Sequence, residues 1–261
     1  MNLNPKILTF IGAILAAFFF STSLATAQSG LESSFGGLPA LTISDNSDGS
    51  ATYSLSLQIL MLMTALTVLP SLVLGMTSFT RVIIVLSILR QALGTQQTPP
   101  NQVLIAIALF LTFFIMAPTF NVIYDESLSL YLDGKVDALT ALQTASVQIK
   151  AFMIENTRIN DLSMFSEMAG DEPYASNADV PLSVLLPAYI TSELKTAFQI
   201  GFLLFLPFLV IDMVIASTLM SLGMMMLSPM LVSLPFKLLL FVLVDGWAMT
   251  VSSLVATYST P

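Results

Sequence analysis

The sequence predicts an all-α integral membrane protein, and two observations support this fold class. Of the 261 residues, 56% are hydrophobic and only 9% are charged, whereas soluble domains carry about 25% charged residues. Four stretches are uncharged or nearly so, and each is long enough to cross a bilayer, which takes about 20 helical residues. We therefore expect four long, partly broken hydrophobic helices, paired as two hairpins, with a helical extracytoplasmic segment between the second and third.

Residues 1–27 have the order of a cleavable signal peptide. Lys6 precedes an apolar run over 7–20, and Ala25-Thr26-Ala27 supplies the small residues that signal peptidase requires. We expect cleavage between Ala27 and Gln28, which would leave 28–53 as an extracytoplasmic N-terminal segment. The alternative is an uncleaved anchor helix, although its apolar core is short for a membrane span.

Breaks in hydropathy divide the remaining chain into two hairpins around a polar middle segment. We expect an amphipathic helix within that segment because apolar residues recur at helical spacing over 136–153. The predicted parts are a first hairpin at 54–120, with spans at 54–80 and 102–120 and a cytoplasmic loop at 81–101; an extracytoplasmic helical segment at 121–197; and a second hairpin at 198–258, with spans at 198–222 and 238–258 and a Met-rich turn at 223–237.

The charges between the spans predict the orientation. The loop 81–101 contains Arg81 and Arg90 and no acid, and the second turn contributes Lys237. The segment 121–197, by contrast, holds eleven acids and four bases. Because basic loops stay on the cytoplasmic side, we expect both turns inside and both chain ends outside.

Three consecutive methionines, Met224, Met225 and Met226, lie in the turn between the last two spans. Methionine is an unbranched, polarizable apolar side chain that repacks around changing shapes, so the run indicates a deformable seal. Filling of irregular core gaps is the alternative. We expect helix breaks at Gly223 and Pro229 on either side of the run, and a kink or break at Pro207 inside the preceding span.

Each of the last two spans contains one acid, Asp212 in the first and Asp245 in the second. A carboxylate inside a bilayer costs about 2.5–3.5 kcal/mol on insertion scales, so each requires a partner, water or a proton. Lys237 lies eight residues before Asp245, two helical turns away and too far for direct contact. The acids therefore either pair between subunits or hydrogen-bond neighbouring helices without any transport chemistry.

Composition excludes several classes of function. The chain has no Cys and no His, which removes disulfides, thiolate nucleophiles, Cys/His zinc sites and His-ligated haem. We expect no cofactor and no metal. The net charge of −8 argues against nucleic acid as a partner, and no phosphate-binding Gly-rich loop with Lys is present.

Several long motifs resemble the FliP/SctR family of type III secretion export-gate proteins, and the similarity covers about residues 54–258. The residues that carry it are Ser78-Phe79-Thr80-Arg81, Leu89-Arg90, Ala92-Leu93-Gly94-Thr95-Gln96, Pro99-Pro100-Asn101-Gln102-Val103-Leu104, Glu193-Leu194-Lys195-Thr196-Ala197-Phe198-Gln199-Ile200-Gly201-Phe202, Ile211-Asp212, Leu222-Gly223-Met224-Met225-Met226-Leu227-Ser228-Pro229, Leu234-Pro235-Phe236-Lys237 and Val244-Asp245-Gly246-Trp247. The signal peptide indicates the flagellar branch.

The resemblance implies a non-enzymatic, pore-forming subunit of the flagellar export gate. Several copies would assemble with FliQ and FliR in the bacterial inner membrane, within the basal-body ring and raised toward the periplasm. Unfolded rod, hook and filament proteins would pass along the axis, with Met224, Met225 and Met226 at the constriction. By the same resemblance, Arg81, Arg90, Glu193 and Lys195 join Asp212, Asp245 and Lys237 as intramembrane or intersubunit polar residues.

Enzymes are the competing class of function. Two intramembrane aspartates on successive spans are also found in intramembrane aspartyl proteases, whose paired acids share a proton. Leu243-Val244 precedes Asp245 here, whereas that protease family has Gly-x-Gly before its second acid. A proton-coupled carrier that uses the same acids is weaker still, because no internal repeat is recognisable.

Overall fold

The computed structural model describes residues 41–45, 51–55, 57–95, 98–171, 174, 176–224 and 227–258. The predicted signal peptide, its cleavage site between Ala27 and Gln28, and the gate residues Met225 and Met226 lie outside these residues. The chain divides between Leu72 and Val73 into two compact units.

The first unit contains a short β-hairpin. Strands β1 (Leu41–Asp45) and β2 (Ala51–Leu55) pair antiparallel, with Leu41 opposite Leu55. The sequence analysis predicted no strand in this segment, although Thr42, Ile43 and Tyr53 are residue types that favour strands. Helix α1 (Leu57–Gly75) begins in the same unit.

The regular elements of the second unit, over its described residues, are all helices. Its elements are α2 (Phe79–Ala92), α3 (Asn101–Ile123), a π-helical turn (Tyr124–Leu128), α4 (Ser129–Leu132), α5 (Ala138–Glu155), α6 (Ile159–Ala169), a 3-10 turn (Asn177–Asp179), α7 (Leu182–Ser221), α8 (Pro229–Leu243) and α9 (Gly246–Ala256).

Within the described residues, two helices are long and apolar enough to cross a membrane: Asn101–Leu132, which runs from α3 through the π-helical turn to α4, and Leu182–Ser221, which is α7. Two pairs of consecutive helices, one from α1 and α2 and one from α8 and α9, are long and apolar enough only when the two helices of a pair are taken together. If each bent pair is counted as one span, the number of candidate spans rises to four. The predicted fold class, an all-α membrane protein, is confirmed, with the β-hairpin as an addition outside the apolar helices.

The predicted loop at 81–101 is wrong for most of its length, because α2 occupies residues 79–92 and only 93–100 connects it to α3. Val82, Val85, Leu86 and Leu89 of α2 are buried at helical spacing. The two arginines at 81 and 90 bracket this apolar face. Because the predicted spans were ended at charged residues, the amphipathic helix α2 was predicted as a loop.

The second hairpin also differs from the prediction. Helix α8 begins at Pro229, inside the predicted turn 223–237, and the predicted span 238–258 is divided by a bend of 63° between α8 and α9. Pro229 occupies the first helical turn, where its missing N–H costs nothing. Gly223 has a left-handed φ of 72°, which ends the preceding helix with little strain.

The predicted helix break at Pro207 is wrong, since α7 continues through Pro187 and Pro207 to Ser221 as one helix of 40 residues. A proline removes one backbone hydrogen bond and strains the preceding turn. The helix is packed on both sides of Pro207: Gly201 contacts α2 before it, and Phe208 packs on Phe241 of α8 after it.

Helices α2 and α7 run parallel and form the centre of the second unit. The hydroxyl of Tyr189 donates to the carbonyl of Thr77, Arg81 pairs with Glu193, and Ile88 contacts Gly201, all in one register. A Cβ at Gly201 would overlap Ile88, so the glycine permits a close crossing of the two helices. Helix α3 and the end of α9 complete the main hydrophobic core through Leu104, Ile115 and Leu254.

Candidate functional site

A buried ion pair joins α2 to the first half of α7. Nε of Arg81 donates to Oε2 of Glu193 at 2.9 Å, and Nη2 donates to Oε1. The two side chains are 4% and 0% exposed. Two parallel hydrogen bonds of this kind fix geometry as well as charge.

The C-terminal end of α9 closes over this pair. Nη1 of Arg81 donates to Oγ1 of Thr257 at 3.0 Å, and the hydroxyl of Tyr258 donates to Oε2 of Glu193 at 2.5 Å. The Tyr258 ring lies 3.8 Å from Cζ of Arg81, a cation–π contact. Sequence reasoning missed Tyr258 and Thr257, because nothing in their spacing connects them with residues more than sixty positions away.

A second polar cluster ties α6 to α7. The carboxylate of Asp161 accepts hydrogen bonds from Ser192 at 2.8 Å and from Lys195, and Ser192 accepts from the backbone N–H of Arg158 at 3.1 Å. Burial alone raises the pKa of Asp161, but the bonds from Lys195 and Ser192 outweigh it and leave that pKa below its ordinary value. Lys195 was singled out from the sequence, whereas its partner Asp161 was missed.

The third pair lies in the second half of α7. Nζ of Lys237 donates to Asp212 at 2.6 Å, and the Ser233 hydroxyl donates to the other carboxylate oxygen at 2.6 Å. Together with the Phe208–Phe241 contact, these bonds hold α7 and α8 as an antiparallel hairpin. Asp212 therefore hydrogen-bonds to a neighbouring helix of its own chain, which is the second of the two alternatives that the sequence left open.

Asp245 lies apart from this hairpin contact. It occupies the bend between α8 and α9 with a left-handed φ of 50°, and it is exposed. Lys237 is engaged by Asp212, so it does not serve Asp245. Asp245 follows Lys237 by eight residues, or about 12 Å of helix, and Asp212 lies next to Lys237. The two aspartates are therefore apart, whereas a proton-sharing dyad requires carboxyl groups in contact.

Arg90 stands at the end of α2, where it organises the connection to α3. Its Nη1 donates to the carbonyl of Pro99 at 3.2 Å and to Oδ1 of Asn101 at 2.6 Å. Both acceptors are neutral. Over the described ranges, Arg90 takes part in none of the ion pairs.

The turn between α7 and α8 forms an apolar tip. Met224 is 43% exposed and Leu227 is 47% exposed, and the flanking Met220 and Met230 are exposed as well. The hydrogen bonds of Asp212 fix the hairpin about three helical turns before this tip. A firmly held hairpin thus presents flexible apolar side chains at its end.

Among the described residues, no group of three or more His, Cys, Asp or Glu side chains is placed to hold a metal ion. The polar groups are instead used to join helices.

Comparison with known proteins gives one consistent result. The FliP family profile matches residues 62–254. The chain is 71% identical over 222 residues to the flagellar biosynthetic protein FliP of Cereibacter sphaeroides, which covers 85% of this chain and 73% of that protein. It is 53% identical over 205 residues to the protein of the same name from Bacillus subtilis strain 168, and this match covers 78% of this chain and 93% of the relative. For the FliP of Buchnera aphidicola subsp. Acyrthosiphon pisum, identity is 51% over 223 residues, covering 85% of this chain and 59% of the relative.

Proposed function

The chain belongs to the FliP family, and from this premise we propose that it is the pore-forming core subunit of the flagellar type III protein export gate. Its relatives are named as flagellar biosynthetic proteins. Unfolded rod, hook and filament proteins would be the chains in transit. Competing functions based on an aspartate dyad receive no support from the separate placement of Asp212 and Asp245.

The observation that carries this proposal is the apolar tip of the α7–α8 hairpin. Met224 is exposed at the tip while Asp212 and Lys237 fix the hairpin behind it. A ring of such tips would exclude water when closed and deform around a passing polypeptide. Met225 and Met226, which follow Met224 in the sequence, would complete the seal.

Several copies of the chain, together with FliQ and FliR, would form the assembly within the basal-body ring. The large apolar surface of the second hairpin supports this part of the proposal. Phe202, Leu203, Met213, Leu239 and Val242 are each at least 63% exposed, and an apolar surface of this extent requires lipid or protein cover. We place the complex in the bacterial inner membrane, raised toward the periplasm.

The gate would not be an enzyme, and the energy for export would come from partner proteins. Arg81, Glu193, Lys195, Asp212 and Lys237 would keep each subunit in shape while the tips move. The first 27 residues would be a signal peptide removed after Ala27. Recovery of the uncleaved N-terminus, starting at Met1, from purified membranes would overturn this last point.

Replacing Met224, Met225 and Met226 together with Ala tests the proposal. The expected result is an assembled complex that leaks ions or small dyes, because the lost side chains leave a gap that is repeated around the ring. Leu at the three positions should seal partly but pass cargo less well, because its branched side chain adapts less. Met168→Ala is the control, since Met168 is 74% exposed on α6, away from the tip. An assembled triple-Ala variant as tight as wild type would refute the seal.

A further inference from the structure

We propose that Asp245 of one copy forms an ion pair with Arg90 of a second copy, so that each copy is joined to its neighbour through these two side chains. The inference rests on the proposed function in one respect, which is that several copies stand side by side. The two residues are then a specific contact surface for a second copy of this chain.

Arg90 and Asp245 are the two charged residues of the apolar helices that form no ion pair over the described residues. Helices α2, α3, α7, α8 and α9 and the bend at Asp245 carry only seven charged side chains. Three ion pairs engage five of them, with Asp161 of α6 as the sixth partner: Arg81–Glu193, Lys195–Asp161 and Lys237–Asp212. The remaining two, Arg90 and Asp245, have opposite signs.

Both residues are placed to accept an external partner. Asp245 is exposed, and over the described residues its carboxylate has no hydrogen bond or ion pair. Arg90 uses only Nη1, toward the neutral oxygens of Pro99 and Asn101, which leaves Nε and Nη2 available. A guanidinium can therefore remain anchored to its own chain while it pairs with a carboxylate from another.

The surroundings of Asp245 favour a protein neighbour. Val242 and Leu243 are each 77% exposed, Met249 is 54% exposed and Val244 is 45% exposed. A carboxylate without a cation is unfavourable in lipid. The apolar rim requires cover and the acid requires a cation, so the surface fits an apolar helix that presents one basic side chain.

A second copy supplies such a helix at a compatible height. Leu89 and Phe241 belong to one hydrophobic cluster. Arg90 directly follows Leu89, and Asp245 follows Phe241 by four residues, about 6 Å along the chain. Because α8 runs antiparallel to α2, the two residues lie on opposite sides of this level, about 7–8 Å apart along it. Copies wound around an axis with a rise of that order would then meet acid to base, and each copy would offer Asp245 to one neighbour and Arg90 to the other, as in a heterologous contact.

The absence of cysteine from the chain makes a direct test available. The full-length double variant Arg90→Cys with Asp245→Cys is expressed in flagellated cells and treated with a short bismaleimide. We expect a ladder of dimers and higher multiples. Each single variant alone should give no ladder, and co-expression of the two single variants should give dimers but nothing larger. Arg90→Cys with Met168→Cys is the matched control and should give no ladder.

Charge exchange tests the same contact without a reagent. Asp245→Arg and Arg90→Asp should each reduce swimming-halo size and the yield of purified oligomer at least several-fold, while the double exchange should restore both. Failure of the exchange variant to recover, in cells where the cross-link ladder is also missing, overturns the proposal.

The outcomes separate this proposal from the proposed function. If the oligomer co-purifies but residues 90 and 245 do not cross-link, the pairing is wrong and the export-gate function stands. An adduct of Asp245→Cys with a protein of different mass also overturns the pairing, because the cation would then come from another subunit. Absence of any oligomer would remove the basis of both.

Discussion

The two halves of helix α7 differ in how their surfaces are used. Residues 182–201 bury Val184, Leu185, Tyr189 and Glu193 against α2, α5 and α6. Residues 202–221 bury Phe208, and most of their large apolar side chains are exposed. The helix extends about 60 Å, twice the thickness of the hydrocarbon layer. One half is thus packed largely against its own chain, whereas the other requires cover from lipid or from other protein chains.

The polar contacts follow the same division. In the first half, Glu193 is fully buried and bonded to Arg81 and Tyr258. In the second half, the Asp212 side chain is 35% exposed although its partner Lys237 is buried. Under the proposed function, the region that is packed within one chain would act as a rigid base, and the region whose surface other copies cover would change its contacts during transport. The predictions below test this difference.

Loss of the buried ion pair should have the largest effect. Glu193→Ala leaves the Arg81 guanidinium buried without its carboxylate, and breaking a buried pair by removing one partner costs about 3–5 kcal/mol. We expect a strongly lowered free energy of unfolding for the purified subunit. Asp133→Ala is the control, because the Lys135–Asp133 pair is exposed and should contribute about 0–1 kcal/mol. Equal effects in the two variants would contradict a rigid base.

Gly201→Ala should come next. Its Cβ would overlap Ile88, and overpacking of this kind costs about 1–3 kcal/mol. Gly75→Ala is the matched helical control, since a Cβ there meets nothing within 4 Å. Thermal unfolding should show a loss for Gly201→Ala, partly recovered by Ile88→Val, and no loss for Gly75→Ala. A tolerated Gly201→Ala would mean that α2 and α7 are not packed at this distance.

A smaller effect on the single chain is expected from Asp212→Asn. The amide keeps an acceptor for Ser233 and Asp212 is 35% exposed, but Lys237 is buried and loses its counter-ion, so we expect a loss of stability that is smaller than that of Glu193→Ala. The yield of assembled complex should fall by a larger factor than the stability of the subunit. Unfolding of the purified subunit and recovery of the oligomer, measured side by side, distinguish the two.

The smallest effect concerns pH at the α6–α7 contact. Because the pKa of Asp161 is lowered in the folded chain, ionised Asp161 contributes stability above its unfolded pKa of about 3.9. That contribution is lost as the pH falls through the lower folded value. The protection of α6 amides against hydrogen exchange, taken relative to their intrinsic exchange rate at each pH, should decrease below about pH 4 in wild type. Asp161→Asn should show no such decrease over the same range.

Much of the architecture follows from the sequence because hydropathy and charge act locally. The apolar spans, the turn that contains Met224 and the break at Gly223 could all be predicted in this way. Helix α2 could not, since its two arginines make the segment resemble a cytoplasmic loop until Glu193 is known to neutralise Arg81. Pro207 was misjudged for a similar reason: packing of Gly201 and Phe208 on other helices outweighs a local preference.

The polar partners were the least predictable part of the site. Glu193, Lys195, Asp212 and Lys237 stood out as charges within apolar sequence, but which residue each one contacts depends on the register between distant helices. Tyr258 illustrates the limit, because its bond to Glu193 spans 65 positions and no local pattern marks it.

Methionine oxidation tests the division of α7 most directly, because the chain carries its own probes. Met153 is 0% exposed, whereas Met213 and Met220 are 66% and 67% exposed. Peroxide labelling of the detergent-solubilised single chain and of the assembled complex, read by mass spectrometry, compares them. The account predicts that Met153 is protected in both states, and that Met213 and Met220 oxidise rapidly in the single chain and become protected on assembly. Equal oxidation of Met213 and Met220 in the two states would contradict it.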